Sequence, residues 1–280
     1  MRVLLLSIAL LTPFVPVAAQ DGVVDTHVHL HSGEASLDAY RAQLKAAGQS
    51  VDAFGAMWFG GPNQALAGSP ADITRRNDAL IALASKNPDM IAIATVHPYD
   101  GDAALAEVDR VAARGVKLLK IHPHTQKFDA ADPRVLALVQ RAGERGMIVV
   151  MDNASIVPAD NEKLFNLALA APKTKFIFGH MGGLGFRFWN ILALARTAEN
   201  LFADNVYFDI SASVILAADS PIEDEYVWTI RNVGVDHVLI ASDFPQISLP
   251  KTLAAFAKLD LTDEERAKIR SGNARKLLGL

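Results

Sequence analysis

The feature that most constrains the fold of this chain is a regular alternation of short apolar segments with longer segments of helical periodicity. The short segments are rich in β-branched residues and lie at 23–29, 51–58, 90–97, 115–122, 147–152, 175–180, 206–212 and 238–243. The segments between them repeat apolar residues every three or four positions, at 36–47, 73–86, 103–114, 133–145, 161–169, 184–198, 222–233 and 250–258. A final helix is predicted over 262–278, where Thr262 and Glu265 match a capping box.

Eight strand–helix units within 280 residues indicate a closed barrel, a fold that typically takes about 250 residues. The segments at 90–96 and 175–178 are apolar on both faces, as expected of parallel strands covered by helices. An open doubly wound sheet shows the same alternation and is the alternative. No change in composition marks a second domain. The sequence therefore predicts an α/β fold, a single-domain (β/α)8 TIM barrel over residues 20–280.

The first 19 residues predict a secretory signal peptide that is cleaved from the barrel. Arg2 supplies a positive charge, residues 3–11 are predominantly apolar, and residues 17–19 are small. The apolar run is short for a membrane-spanning helix, although a membrane anchor or a buried first strand is the alternative. Cleavage after Ala19 would place the mature protein outside the cytoplasm, with the periplasm as the expected location.

Composition narrows the possible partners. The formal net charge of −4 provides no basic field for nucleic acid, and no membrane partner is expected once the leader is removed. The chain has no cysteine, which excludes disulfides and thiolate ligands. Any metal would therefore be held by histidine and carboxylate. The oligomeric state is not predicted.

Polar residues stand at the ends of the predicted strands, where barrel enzymes carry their active sites. The first strand ends Asp25-Thr26-His27-Val28-His29, and a period of two places Asp25, His27 and His29 on one face. Two imidazoles so placed can converge on one cation, while Asp25 orients them or ligates as well. A lone histidine is often a satisfied core residue, but this alternation favours a metal site.

Two further strand ends carry candidate catalytic residues. His180 follows the sixth strand, before Gly182 and Gly183, and a histidine there can position water, polarise a carbonyl or bind metal. Asp243 ends the eighth strand, which neighbours the first in a closed barrel. It can ligate the metal and accept a proton from metal-bound water, although an aspartate at a strand end is often only a helix cap.

Together these strand-end motifs resemble the amidohydrolase-2 branch of the amidohydrolase superfamily. The matching segments occur in the same order, as DTHVH at 25–29, KIHP at 120–123, HMGG at 180–183, SDFP at 242–245 and NARKLLG at 273–279. The resemblance implies a barrel that binds a divalent metal, commonly zinc, and that hydrolyses or decarboxylates a small carboxylated substrate. It also implies that His27 and His29 are metal ligands, that Asp243 is a ligand and proton acceptor, and that His180 activates water or substrate.

The fifth and fourth strands need separate interpretation. The family usually has a metal-binding histidine at the end of strand five, where this chain has Asp152. Asp152 is predicted as a replacement ligand that shifts the preference from zinc toward Mn²⁺ or Mg²⁺. The alternative is that Asp152 only supports other residues and that the metal is weakly bound or absent. Lys120 and His122 are predicted to bind a substrate carboxylate, although Lys120 could instead pair with an acid or, as in some superfamily members, be carboxylated to bridge two metals.

The sequence therefore predicts a metal-dependent hydrolase that cleaves the C–O or C–N bond of a small lactone, ester or amide. Metal-activated water attacks, Asp243 takes its proton, and the cation with His180 stabilises the oxyanion. A non-oxidative decarboxylase of the same family is the first alternative, and a catalytically silent binding barrel is the second. The apolar, glycine-containing segment 54–70 is expected to form a wall or lid over the substrate, or a packed irregular loop.

Overall fold

The computed structural model of the protein describes residues 22–280, so the predicted leader at 1–19 lies outside the described residues. Eight parallel strands form one sheet, in which each strand pairs with the next along the chain. The strands are β1 Val24–His29, β2 Ala53–Met57, β3 Met90–Thr95, β4 Leu118–Ile121, β5 Ile148–Met151, β6 Lys175–Phe178, β7 Val206–Asp209 and β8 Val238–Leu239.

The sheet curls until its first and last strands meet. The backbone N–H of His29 donates to the carbonyl of Phe244 at 2.8 Å, and the N–H of Asp243 donates to the carbonyl of His27 at 2.9 Å. These bonds place the end of the first strand beside the residues that follow the last strand. The predicted (β/α)8 barrel is confirmed.

Helices lie in the connections between strands and after the last strand. They are α1 Glu34–Ala46, α2 Pro70–Ala84, α3 Asp102–Ala113, α4 Pro123–Gln126, α5 Pro133–Glu144, α6 Asp160–Ala170, α7 Ile191–Ala195, α8 Ser213–Ala217, α9 Glu223–Val233, α10 Leu249–Phe256, α11 Asp263–Ala267 and α12 Asn273–Leu278. Within the described residues, no helix is both long and apolar enough to cross a membrane.

The apolar residues of the strands divide between two cores. Along β5, Ile148 and Val150 belong to a buried cluster of strand residues that α12 also joins, while Val149 and Met151 belong to another that includes residues of helices such as α5. This alternation follows from the two-residue period of a strand, which sends successive side chains to opposite faces. One core therefore fills the barrel and the other joins the strands to the helices.

Two predicted helices differ from the structure. The segment predicted at 184–198 is mostly a 3₁₀ helix, Gly179–Asn190, followed by α7, and its first residues from His180 to Gly183 have left-handed backbone angles. At Gly183 a Cβ would lie 2.5 Å from the Ala154 carbonyl oxygen, so this close approach requires glycine. The final helix begins with the predicted capping box but is interrupted by a π-helical turn, Lys268–Gly272.

Candidate metal centre

The carboxyl ends of the strands surround a cavity of about 520 Å³. Six of the residues predicted for the site line it, namely His27, His29, His122, Asp152, His180 and Asp243. Their side chains come from different strands and are brought to one face by the parallel barrel. The sequence motifs, which are up to 216 residues apart between His27 and Asp243, therefore form one site.

Three of these side chains form a compact triangle of candidate ligand atoms. His27 Nε2 lies 3.2 Å from His29 Nε2 and 3.5 Å from Asp243 Oδ1, and His29 Nε2 lies 3.2 Å from the same Asp243 oxygen. Ligands about 2.0–2.1 Å from a tetrahedral cation are separated by about 3.3–3.4 Å. The three atoms are thus already spaced as they would be around one metal ion.

The hydrogen bond made by Nδ1 of each imidazole fixes the orientation of the ring and leaves Nε2 facing the triangle. His27 Nδ1 donates to Asp209 Oδ2 at 2.9 Å, and His29 Nδ1 donates to the Phe59 carbonyl at 2.7 Å. Both partners are acceptors only, so each ring turns its Nε2 toward the other ring and toward Asp243. Only positive charge close to these atoms relieves their mutual repulsion, and Lys120 Nζ, 3.3 Å from His27 Nε2, now supplies it. The residues present therefore fit a divalent cation, which would supply that charge instead.

The ionisation of the triangle agrees with this geometry. Burial, reinforced by the charge of Lys120, lowers the pKa of His27 to about 4, so its ring is neutral near pH 7. Burial alone would raise the pKa of Asp243, but the hydrogen bond with His29 and the neighbouring imidazole rings hold it below its usual value. A neutral imidazole and an ionised carboxylate are the forms that bind metal.

His180 is held in the opposite protonation state. Its Nε2 donates to Asp152 Oδ1 at 3.0 Å, and its Nδ1 donates to the Ser211 carbonyl at 3.2 Å. Both ring nitrogens therefore carry protons. Burial alone would lower the pKa of His180, but the hydrogen bond and the charge of Asp152 outweigh it and raise the pKa to about 9.

His27, His180 and Asp243 also place one ligand atom each within 4.8 Å of one another. For His180 to bind metal through Nε2, however, it would have to lose a proton and its hydrogen bond to Asp152. His29 keeps its hydrogen bond to Phe59 and directs Nε2 at Asp243. The His27, His29 and Asp243 set therefore fits a cation with less rearrangement.

Asp152 faces imidazoles in this structure. Besides the bond from His180, its Oδ1 lies 3.5 Å from His122 Nε2. Burial would raise the pKa of Asp152, but these two rings hold it well below its usual value. This is the arrangement expected if Asp152 supports other residues, while its direct ligation of a metal stays a prediction. Burial also lowers the pKa of His122 to about 3, so His122 is a neutral ring in the cavity wall.

Lys120 is buried, with 1% of its surface exposed, and does not line the cavity. Its Nζ lies 3.3 Å from His27 Nε2 and donates to it. A metal cation at that nitrogen would take over the lone pair that Lys120 now uses. The role predicted for Lys120 with His122, binding a substrate carboxylate, stays a prediction, but the ammonium points at the ligand triangle.

Asp25 lies outside the cavity lining and joins three parts of the fold. Tyr40 of α1 donates to its Oδ2 at 2.9 Å, and the backbone N–H of Ser242 donates to its Oδ1 at 2.8 Å. Burial raises the pKa of Asp25 to about 6, although these hydrogen bonds oppose the shift. β1 shifts register just after Asp25, so Asp25 does not share the cavity face of His27 and His29 that the two-residue period predicts for it. Its supporting role stays a prediction.

Asp209, at the end of β7, is a central residue of the site that the sequence motifs do not indicate. Besides holding His27, it accepts the backbone N–H of His180 at 3.0 Å and the hydroxyl of Ser211. Burial would raise the pKa of Asp209, but His27 and His180 hold it far below its usual value. An aspartate that closes an apolar strand is the signal it shares with Asp152 and Asp243.

The connection after β2 forms part of the wall around the triangle. Trp58 and Phe59 are buried in the core, while Gly60 and Gly61 line the cavity. At Gly60, where φ is 112°, a Cβ would lie 2.8 Å from His29 Nδ1. The segment is thus both a packed loop and a wall, and its backbone contacts the imidazole directly.

Comparison with solved structures shows the same fold. A 5-carboxyvanillate decarboxylase from Sphingomonas paucimobilis is 16% identical with a TM-score of 0.72, covering 93% of this chain and 99% of that chain. A putative amidohydrolase from Staphylococcus aureus is 20% identical with a TM-score of 0.72, covering 92% and 100%. A 5-carboxyvanillate decarboxylase mutant from Novosphingobium aromaticivorans, with bound manganese, is 17% identical with a TM-score of 0.68, covering 92% and 97%.

The sequence comparisons identify the family. No curated protein sequence matches the chain at a significant level. The model of the amidohydrolase-2 family, described as amidohydrolase, matches residues 24–280. That range runs from the first residue of β1 to the end of the chain and includes every side chain of the triangle. The chain therefore belongs to the amidohydrolase-2 family.

Proposed function

We propose that this protein is a metal-dependent hydrolase that cleaves a C–O or C–N bond of a small ester, lactone or amide. The observation that carries the proposal is the pairing, in one cavity, of an ionised carboxylate, Asp243, with a fully protonated imidazole, His180. Hydrolysis needs a group that takes a proton from water and a group that supplies positive charge or a proton to the departing atom.

His27, His29 and Asp243 would hold the cation. When bound there, a divalent metal would polarise the substrate carbonyl and make a water molecule more acidic. The net charge of the site is consistent with a bound cation, because three carboxylates outnumber two cationic side chains. The carboxylates are Asp152, Asp209 and Asp243, and the cations are Lys120 and His180. We propose zinc or manganese, since two imidazoles and one carboxylate suit both.

Each residue then has a task that follows from its contacts. Asp243 accepts the proton of the attacking water through its ionised carboxylate. His180, whose charge Asp152 stabilises, places positive charge beside the oxyanion and protonates the leaving group. Asp209 keeps His27 in the tautomer whose Nε2 faces the triangle, and it holds the backbone of His180. Asp209 is thus a positioning residue for both halves of the site.

The proposal is tested with the purified mature protein, a panel of esters, lactones and amides, and elemental analysis. We expect about one equivalent of zinc or manganese, loss of hydrolysis after treatment with a chelator, and recovery when either metal is returned. Asp243→Asn should abolish turnover, whereas Asp224→Asn, an exposed change in the first turn of α9, should not. Hydrolysis that survives complete removal of metal would contradict the mechanism.

Non-oxidative decarboxylation is the second candidate, because two of the similar structures are decarboxylases and one of them contains manganese. In that reaction His180 would protonate the carbon from which CO₂ departs. Incubation in H₂¹⁸O with free hydroxybenzoates and, separately, with their methyl esters distinguishes the two reactions. Release of CO₂ without ¹⁸O in the organic product supports decarboxylation, whereas incorporation of ¹⁸O without CO₂ supports hydrolysis.

We also propose export, which the leader at residues 1–19 supports. N-terminal sequencing of protein recovered from a periplasmic fraction should begin at Gln20. Recovery of the full chain from the cytoplasm, with Met1 or Arg2 as the first residue, would contradict export without affecting the proposed chemistry.

A further inference from the structure

Three large apolar side chains at the mouth of the metal cavity are exposed to solvent. Ile156 is 67% exposed, Leu184 is 62% exposed and Leu216 is 52% exposed, and all three line the cavity. Isolated exposed apolar residues are ordinary, but a group of them at the edge of a polar site commonly marks a binding surface. We call these three residues the apolar wall.

The apolar wall is assembled from three separate connections. Ile156 follows β5, Leu184 lies in the 3₁₀ segment after β6, and Leu216 belongs to α8 after β7. Because β5, β6 and β7 are neighbours in the sheet, these connections lie side by side above one sector of the barrel. The other large exposed apolar residues of the described chain, such as Leu194 and Trp228, do not line the cavity.

The rest of the cavity has a different character. Its interior carries the charged side chains of Asp243 and His180, and the connection after β2 contributes only the backbone of Gly60 and Gly61. A molecule that fills this space would meet charge with one end and apolar carbon with the other. The small side chains of Ala154 and Ala212 also line the cavity, so they leave room for a chain.

On the basis of the proposed hydrolase function, we propose that the substrate is an ester, lactone or amide with an apolar acyl or alkyl chain that lies against the apolar wall. The carbonyl group reaches His27, His29 and Asp243, and the chain extends outward over Leu184 and Leu216. Binding covers side chains that water now contacts, so affinity should increase with each methylene group of the chain.

The test uses straight-chain carboxylates from acetate to octanoate, titrated into the metal-containing protein by calorimetry. Because burial of a methylene group is worth about 0.8 kcal/mol, affinity should rise by about two- to fourfold per carbon, depending on how fully each carbon is covered. Leu184→Ser and Leu216→Ser should flatten this dependence. Leu194→Ser, an equally exposed change outside the cavity, should preserve it.

Several results would overturn the inference. These are absence of octanoate binding, affinity that does not depend on chain length, and a dependence that is unchanged in the two wall variants. Sedimentation velocity provides another: a dimer that Leu184→Ser dissociates would show that the wall is covered by a second copy of the chain. The three substituted residues, Leu184, Leu216 and Leu194, are all exposed, so circular dichroism and thermal unfolding should show that the variants are folded.

Turnover of p-nitrophenyl esters with two to eight acyl carbons separates this inference from the proposed function. If no ester, lactone or amide is hydrolysed but carboxylate affinity still rises with length, the hydrolase proposal fails and the apolar wall stands as a binding surface. If all esters are hydrolysed with equal kcat/KM and carboxylate affinity is also flat, hydrolysis stands and the wall inference fails.

Discussion

His27 and His180 are the same residue type, both are buried, and their ring centres are 5.3 Å apart, yet the structure holds them in opposite states. Each uses one ring nitrogen to contact an acceptor on or after β7, Asp209 for His27 and the Ser211 carbonyl for His180. The difference lies in the second nitrogen. That of His27 lies beside His29 Nε2 and accepts from Lys120, while that of His180 donates to Asp152.

The partner of each ring nitrogen, more than the presence of histidine in a motif, thus determines the protonation state of the ring. We call the proposed metal ligands His27, His29 and Asp243, at the junction of β1 and β8, the ligand half of the site. We call His180, the proposed acid, and its partner Asp152 the proton-donor half. Four substitutions test this division, in order of decreasing expected effect.

The largest effect is expected from Asp243→Asn, which removes the anion of the ligand half. An amide neither accepts the proton of water nor balances the charge of a cation, so kcat should fall by about 10³-fold or more. Elemental analysis should also show reduced metal content. A variant with full metal content and wild-type kcat would remove Asp243 from the mechanism.

Asp152→Asn should convert His180 toward the state of His27. Without the carboxylate, the pKa of His180 falls from about 9, and kcat should decrease by about 10²-fold. Since the protonated form is the active one, activity is lost as pH rises through that pKa. The high-pH limb of the kcat/KM profile should therefore move to lower pH in the variant. An unchanged limb would show that His180 does not act as the acid.

Asp209→Asn affects both halves at once, because Asp209 contacts the ring of His27 and the backbone of His180. Loss of a carboxylate that orients a metal-bound histidine typically costs about 10- to 100-fold in metal affinity. Competition with a fluorescent chelator measures that affinity directly. Metal affinity equal to that of the unaltered protein would show that Asp209 only maintains the fold.

The smallest effect is expected from Gly60→Ala, which touches only the ligand half. The added methyl group would press on His29 Nδ1, and alanine is strained at a φ of 112°. Roughly 1 kcal/mol of strain corresponds to about a fivefold loss of metal affinity. The pH limb assigned to His180 should stay in place. Gly68→Ala, also at positive φ but with open space around it, is the matched control.

The same comparison shows what the sequence can predict. His27, His29 and Asp243 stand in motifs at strand ends, so their convergence follows from barrel topology. Asp209 has no such motif, and its role depends on how β7 passes beside β6 and faces β1. Strand alternation predicts that Lys120 faces the inside of the barrel, but it does not predict how far below the cavity the side chain lies. In the structure its ammonium lies beneath the cavity, against His27.

The connection after β6 shows a second limit. Periodicity predicts a helix at 184–198, but Gly182 and Gly183 allow a left-handed backbone that turns His180 toward Asp152 and Ser211. Periodicity records which residues are buried and does not record where the backbone reverses. The backbone that sets the hydrogen-bond partners of His180 is therefore the part of the site that periodicity predicts least well.

The junction between β1 and β8 has a consequence for the order of assembly. Asp25 bonds to Ser242 across 217 residues of sequence, and the candidate ligands His29 and Asp243 meet at the same place. Contacts so distant along the chain carry the entropic cost of closing a long loop, and we expect them to form late in folding. The proposed metal site would thus be complete only when β1 and β8 have come together, and a metal ion bound there would favour the closed barrel over partly folded forms by mass action.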